Sequence, residues 1–502
     1  MSDALFERLS GLDRSFLIYE GPCSPMHVAA VEIFEGGPLR GADGAIDAER
    51  MLEYVASRLH RIPRYRQCVV PAPLGGYPIW VDDAHFNLRY HVRHTRLPRP
   101  GSERLLKRAC ARILEQRLDL HKPLWELWLV EGLEGDRVAM ISKTHHCMID
   151  GIGGVDLLSV LLTPEPLEKI EPPPLWMPLP APGVLDYALA EAGRSLSAPL
   201  RAAGAVLRVV RDEGHSRHEL AERLRAVGRL GLSTVSGSTP TPINQPIGPH
   251  RRFDWLVTSL DDMSAVRKHL GGTVNDVILA TTAGALRRFL GEQRGTELEG
   301  LHFKVMAPVS IRQADEHGQF GNRVAAWFVP LPLAERDPLR RYAQVRATTE
   351  RLKRRHEALG AETLTQAMGW LGATPIALGA RLFQGGQPPF NMVVTNVPGP
   401  RQPLYLLGAR MLEAHPMVPL FGRLGVGIAL FSYLRRISWG FCADWDLVPD
   451  LHDLVRDVEL SLAELCDAAA RVGAAPPPRG ASAPHGDAKP TITRRATPRK
   501  AS

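Results

Sequence analysis

The chain has 502 residues, 44% hydrophobic and 23% charged, with a formal net charge of +7. This is ordinary globular composition with material for more than one core, which excludes wholesale disorder. Six dispersed cysteines without a C-x-x-C pair exclude a disulfide scaffold and point to buried thiols in a reducing, cytoplasmic setting.

From Leu5 to about Leu162, short strands alternate with helices. Met51, Leu52, Val55, Leu59 and Ile62 recur at helical spacing and Pro63 ends that helix. A strand is expected around Pro78 to Val81, a helix through Leu106, Cys110 and Ile113, and two further strands at Trp125 to Val130 and Val138 to Lys143. Pro164 to Pro182 is proline-rich and reads as an extended linker. Val184 to Leu232 reads as arginine-studded helix, followed by a polar stretch at Ser233 to Pro249.

A second α/β region runs from Phe253 to about Val472. It holds a helix after Gly271-Gly272 and buried strands at Phe303 to Val309 and Met392 to Thr395. Ile437, Trp439 and Phe441 alternate as a half-buried strand should, and Leu451 to Leu465 repeats as an amphipathic helix. No N-terminal signal peptide and no bilayer-spanning apolar run is legible. From Pro476 onward, six lysines and arginines face the single acid Asp487, so most of the net charge belongs to a basic, disordered tail. The nearly balanced body argues against nucleic acid as a partner, and the tail suits solvent or an anionic lipid surface.

The sharpest chemical signal is His145-His146-Cys147-Met148-Ile149-Asp150-Gly151, lying between an apolar strand and a helix. Successive strand residues point to opposite sides, so one histidine faces a cavity and the other faces structure. That speaks against a metal site built from both, and H-E-x-x-H spacing is absent. An imidazole at a strand end, its turn shaped by Asp-Gly, suits general-base work near neutrality. A nucleophile elbow and a P-loop are both absent, and Cys147 reads as a packing residue of the turn.

The H-H-x-x-x-D-G string resembles the active-site motif of acyltransferases with the chloramphenicol acetyltransferase-like fold, which includes peptide condensation domains. Leu12 to Leu17, Pro25 to Val28, Pro123-Leu124-Trp125-Glu126, Thr273 to Val277, Pro308 to Arg312, Gly321-Asn322, Asn396 to Pro400 and Val448 to Asp450 are similar, in order, to strings of the wax ester synthase/diacylglycerol acyltransferase family. The resemblance implies an α/β fold of two chloramphenicol acetyltransferase-like domains with a channel between them, joined by a partly helical linker. The expected division is 1–163, a linker at 164–250, 251–475, and a tail at 476–502.

The resemblance further implies an O-acyltransferase that moves a long-chain acyl group from acyl-CoA to diacylglycerol or a long-chain alcohol, giving triacylglycerol or wax ester. Acyl-CoA is then a co-substrate, with no cofactor or metal. His146 becomes the base that deprotonates the acceptor for direct attack on the thioester, with His145, Asp150 and Gly151 supporting the turn. Arg312 is the expected partner of Asp150. Asn275 and Asp276 either organise the facing channel wall or simply cap a helix, and Ser432 is a further channel or structural candidate. The chain departs from the family pattern at Gly422, Arg423 and Gly427, where Asp-Gly and an asparagine are expected. Those changes leave open a weakened lipid-binding relative, and an acyltransferase for a specialised hydroxylated metabolite is a further alternative. The expected location is cytoplasmic, with peripheral contact to a membrane or lipid inclusion.

Overall fold

The computed structural model describes residues 6–72, 78–148, 157–167, 169–189, 237–310, 324–359 and 388–474. Asp150, Gly151, Arg312 and the tail from 476 lie outside these residues, as do positions 190–232 of the arginine-rich stretch and 233–236 of the polar stretch after it. Residues 184–189 are helical.

The strands in chain order are β1 (Glu7–Arg8), β2 (His27–Glu35), β3 (Gln67–Val70), β4 (Ile79–Asp82), β5 (Val92–Arg96), β6 (Trp125–Leu133), β7 (Arg137–His145) and β8 (Arg251–Ser259). They continue as β9 (Lys304–Ser310), β10 (Val324–Pro330), β11 (Met392–Val397), β12 (Tyr405–Leu406), β13 (Ala409–Met417), β14 (Val426–Tyr433) and β15 (Arg436–Asp444). The longer helices are α1 (Gly11–Tyr19), α2 (Ala48–Arg58), α3 (Glu103–Glu115), α4 (Leu260–Leu270), α5 (Val274–Leu286), α6 (Pro338–Leu359) and α7 (Leu451–Ala474).

Two six-stranded sheets carry the two halves. The first has the order β12-β13-β2-β7-β6-β5, antiparallel except where β5 meets β6. The second has the order β10-β9-β11-β14-β15-β8, with β11 parallel to both of its neighbours. The expected α/β class and two-lobed plan are what the structure has.

Each sheet buries a face under helices whose apolar residues recur on one side. On α3, Leu106, Cys110, Ile113 and Leu114 are buried, while Ser102 precedes the first turn and acidic Glu103 opens it. By contrast, every residue of α5 from Asp276 to Leu286 is buried, so that helix runs through the middle of the C-terminal core.

One strand breaks the simple division into halves. β13 comes from the C-terminal part of the chain but pairs with β2 of the first sheet, placing Pro416 opposite Ala30. Its backbone also crosses β15 closely, since a Cβ on Gly440 would sit 1.7 Å from the Pro416 carbonyl oxygen. Glycine at 440 therefore permits the two sheets to be stitched together. Residues 237–250 are likewise tied to the second lobe. Asn244 is buried and donates to the Asn391 carbonyl at 2.8 Å, and Ile243 sits in the C-terminal core.

Candidate active site

The site is built where β7 runs out of the first sheet. β7 lies between β2 and β6, and its last residue, His145, stands opposite His27. The chain then turns through a single 3-10 turn, His146 to Met148. The two histidines consequently have different surroundings. His145 is buried at 1% exposure, whereas His146 is half-buried.

His145 is held from three sides. Its backbone N–H donates to the Leu124 carbonyl at 2.9 Å. The Cys147 backbone N–H donates to its Nδ1 at 3.2 Å, with the Cys147 thiol 3.0 Å from the same nitrogen. Nδ1 is thus an acceptor, which leaves the ring proton on Nε2 by this assignment. Nε2 faces the Glu20 carboxylate at 3.4 Å.

Burial alone would raise the Glu20 pKa, but hydrogen bonds involving His145, the Met26 N–H and Arg117 outweigh it and hold the carboxyl below its ordinary value. Glu20 therefore stays ionised beside the turn. Burial raises the Cys147 thiol well above its ordinary pKa, which keeps it protonated and makes it a poor nucleophile.

His146 is placed by backbone and ring contacts. Its N–H donates to the Met26 carbonyl at 2.8 Å. Its imidazole lies flat on the Phe16 ring, with centroids 3.8 Å apart and planes 18° apart. Phe16 comes from α1, whose start is fixed by a capping box between Ser10 and Asp13. The string Leu12 to Leu17 thus acts at the site through Phe16, a role that spacing alone does not reveal. Glu20 and the Met26 carbonyl were also unforeseen, because both reach the site across a loop.

Behind the turn, two buried basic side chains anchor the sheet to α3. Lys143 Nζ donates to the carbonyls of Ile113 at 3.1 Å and Gln116 at 2.5 Å. His27 Nε2 lies 2.6 Å from the Leu114 carbonyl. These contacts satisfy carbonyls that the end of a helix leaves without partners. Burial lowers the Lys143 pKa to about 8, opposed by nearby Glu126. Burial and the Lys143 charge push His27 well below its usual value. Trp125 of the Pro-Leu-Trp-Glu string is fully buried, donates to the Tyr65 carbonyl at 2.8 Å and stacks on His91. That string therefore supports β7 and its turn.

Asn275 and Asp276 stand at the start of α5, in the other lobe. Asp276 forms a capping box with Thr273 and accepts from Thr349 at 2.6 Å, as the capping alternative expects. Asn275 accepts from Asn396 Nδ2 at 2.8 Å. Ser432 Oγ accepts from the Gly399 N–H at 3.0 Å. The Thr-Val-Asn-Asp and Asn-Val-Pro-Gly-Pro strings are thereby joined by hydrogen bonds, with Ser432 beside them.

The departures from the family pattern have a packing answer. A Cβ on Gly427 would meet Val418 Cγ1 at 2.6 Å and Leu420 Cδ2 at 3.3 Å. Apolar neighbours already fill the space an asparagine would need. Gly422 adopts a φ of 63°, and Arg423 reaches the Asn244 carbonyl and Gln245 at 3.3 Å each.

A serine–histidine–carboxylate set, Ser438–His415–Glu413, also occurs between β13 and β15. His415 is fully buried and stacked on Trp255, and the adjoining cavity is only about 10 Å³. Such a site has no room for a substrate. Among the described residues, no group of three histidines, cysteines or carboxylates is placed to hold a metal ion.

Residues 9–278 match the family model described as the wax ester synthase/diacylglycerol acyltransferase catalytic domain, and residues 320–466 match the WS/DGAT C-terminal domain. A Mycobacterium tuberculosis (strain ATCC 25618 / H37Rv) protein named as a diacylglycerol O-acyltransferase is 31% identical over 478 residues, covering 92% of this chain and 91% of that protein. The solved wax ester synthase/diacylglycerol acyltransferase from Marinobacter aquaeolei VT8 superposes with a TM-score of 0.66 at 25% identity, covering 92% of this chain and 99% of the other. The starter condensation domain of rhizomide synthetase shares the fold at a TM-score of 0.55 and 12% identity, covering 93% and 95% of the two chains.

Proposed function

This chain belongs to the wax ester synthase/diacylglycerol acyltransferase family, and from that membership we propose that it transfers a long-chain acyl group from acyl-CoA to diacylglycerol or a long-chain alcohol, with His146 as general base. The observation that carries the proposal is the half-buried imidazole of His146, held flat on Phe16 at the mouth of β7. A ring nitrogen accepts the proton of the acceptor hydroxyl as that oxygen attacks the thioester carbonyl. The tetrahedral adduct collapses, the C–S bond breaks, and the imidazolium returns the proton to the departing CoA sulfur. The acyl group passes directly to the acceptor, with no acyl-enzyme. His145, its Nε2 facing the Glu20 carboxylate, fixes the turn and takes no proton from substrate.

Free CoA released by purified protein given palmitoyl-CoA, with diacylglycerol and hexadecanol in parallel, tests this. Acceptor-dependent release is expected with at least one of them. Inertness with every long-chain acceptor would overturn the reading.

The second part of the proposal is contact with a lipid surface. No helix among the described residues is long and apolar enough to cross a membrane. Yet Leu175, Met177, Leu179, Val184, Leu185 and Leu189 are 61–93% exposed, along the segment that leads into the arginine-rich stretch. An apolar edge followed by cations suits the surface of anionic bilayers or inclusions. Changing Leu175, Met177 and Leu179 together to serine is expected to reduce co-sedimentation with anionic liposomes several-fold. Unchanged co-sedimentation would rule out this edge as the contact.

A further inference from the structure

A cleft of about 980 Å³ opens between the lobes, on the far side of α3 from the first sheet. One wall is α3, and the other is formed by the start of β8 and the residues leading into α7. Its lining includes six lysines and arginines against two carboxylates, Glu115 and Asp254. Part of that charge is already neutralised. Lys107 pairs with Asp254 at 2.6 Å and Glu103 at 2.9 Å, and Arg251 is buried among backbone carbonyls.

Arg104, Arg108 and Arg112 are different. They stand four residues apart, so they share one face of α3, and all three are exposed to the cleft. Among the described residues they make no ion pair or hydrogen bond. Across from them Trp445 is 46% exposed, with the Arg252 guanidinium 3.8 Å from its ring centroid. Three uncompensated guanidinium groups facing a half-exposed indole, which carries Arg252 on one face, form a site for a ligand with several phosphates and a flat ring.

The inner end of the cleft touches the loop that cradles His146. Arg251 donates to the Cys23 carbonyl, and its backbone N–H donates to Glu115 at 3.1 Å. Cys23 lies in the turn between Glu20, which faces His145, and Met26, which holds the His146 N–H.

We propose that this cleft binds the 3′-phosphoadenosine diphosphate end of CoA, the phosphates on Arg104, Arg108 and Arg112 and the adenine against Trp445. The inference rests on an acyl-CoA donor, as argued above, and adds where the donor's nucleotide is held. A concave site with an aromatic wall favours a nucleotide over a lipid headgroup, which a flat basic patch serves equally well.

The test separates binding from turnover. Adenosine 3′,5′-bisphosphate is titrated calorimetrically into wild type, into Arg104→Gln/Arg108→Gln/Arg112→Gln and into Trp445→Ala. Loss of at least tenfold in affinity is expected for the triple variant, with a smaller loss for Trp445→Ala. In turnover, the preference of wild type for palmitoyl-CoA over palmitoyl-pantetheine, as a ratio of kcat/KM, is expected to collapse at least tenfold in the triple variant. Unchanged bisphosphate affinity overturns the proposal, as does an unchanged donor ratio. Loss confined to anionic phosphatidylglycerol vesicles also overturns it, and assigns the cleft to lipid. A protein inert with every acyl-CoA, but whose bisphosphate binding still depends on these arginines, would sink the acyl-transfer reading and leave the nucleotide site standing.

Discussion

Replacing His146 with alanine is expected to lower acceptor-dependent CoA release by about 10²–10⁴-fold, the range that a positioned general base contributes. The melting temperature should move less than for a fully buried histidine, because the side chain, stacked on Phe16, is only half-buried. Its backbone anchor to Met26 survives the change. His145→Ala makes the contrast. It would leave the Glu20 carboxylate, 3% exposed, without its imidazole partner. Glu20 keeps Arg117 and the Met26 N–H, but the buried Cys147 N–H loses its acceptor, and an unpaired buried group costs about 1–3 kcal/mol, so the His145 variant should lose stability along with activity. Thermal melts and initial rates on both variants therefore separate chemistry from scaffold. Activity of His146→Ala within tenfold of wild type would mean that another group takes the proton.

What the sequence made legible follows from what is local. The repeat of Leu106, Cys110 and Ile113 marks α3, and the alternation of Ile437, Trp439 and Phe441 marks β15, because each pattern is set by the element's own geometry. The strand-to-turn character of Thr144 to Met148 was legible for the same reason. The pairing of β13 was not. Its alternation announces a strand but cannot say that its neighbour is β2, some 380 residues earlier, and Gly440 reveals its purpose only once Pro416 lies over it. The site divides in the same way. His145 and His146 are visible in a string, whereas Phe16, Glu20 and Lys143 matter through contacts with residues distant in the chain. Asp276 shows the ambiguity of a local motif. One Thr-x-x-Asp pattern serves both a family signature and a capping box, and its hydrogen bonds are those of the cap.

Stability is expected to fall as the pH drops below about 6.5, before most carboxylates titrate; Asp457, which burial raises to about 6, takes up a proton in the fold and offsets part of the fall. Three buried histidines set this window. Burial lowers His91 to about 4, pushes His27 well below its usual value, and lowers His415 despite its pairing with Glu413. Each stays neutral in the folded chain while its unfolded counterpart, near 6.5, takes up a proton. Between the two values the unfolded state binds more protons, so stability rises with pH and is lost as pH falls. Each such group contributes about 1.4 kcal/mol per pH unit across its window, so His91 alone accounts for roughly 3 kcal/mol between pH 6.5 and 4. Glu20 acts lower. Its depressed pKa gives stability that is present above about 4.5 and lost only as pH falls through the folded value. A decline between pH 6.5 and 5 therefore belongs to the histidines. The slope of the unfolding free energy from urea melts across this range should flatten by about 1.4 kcal/mol per pH unit in His91→Asn, whose amide can still donate to the Trp125 carbonyl. A flat wild-type profile down to pH 5 would show that these rings find a proton acceptor in the fold. If the decline is as expected, loss of turnover below pH 6 reports unfolding as well as protonation of the catalytic base. Rates in the His91→Asn background would tell the two apart.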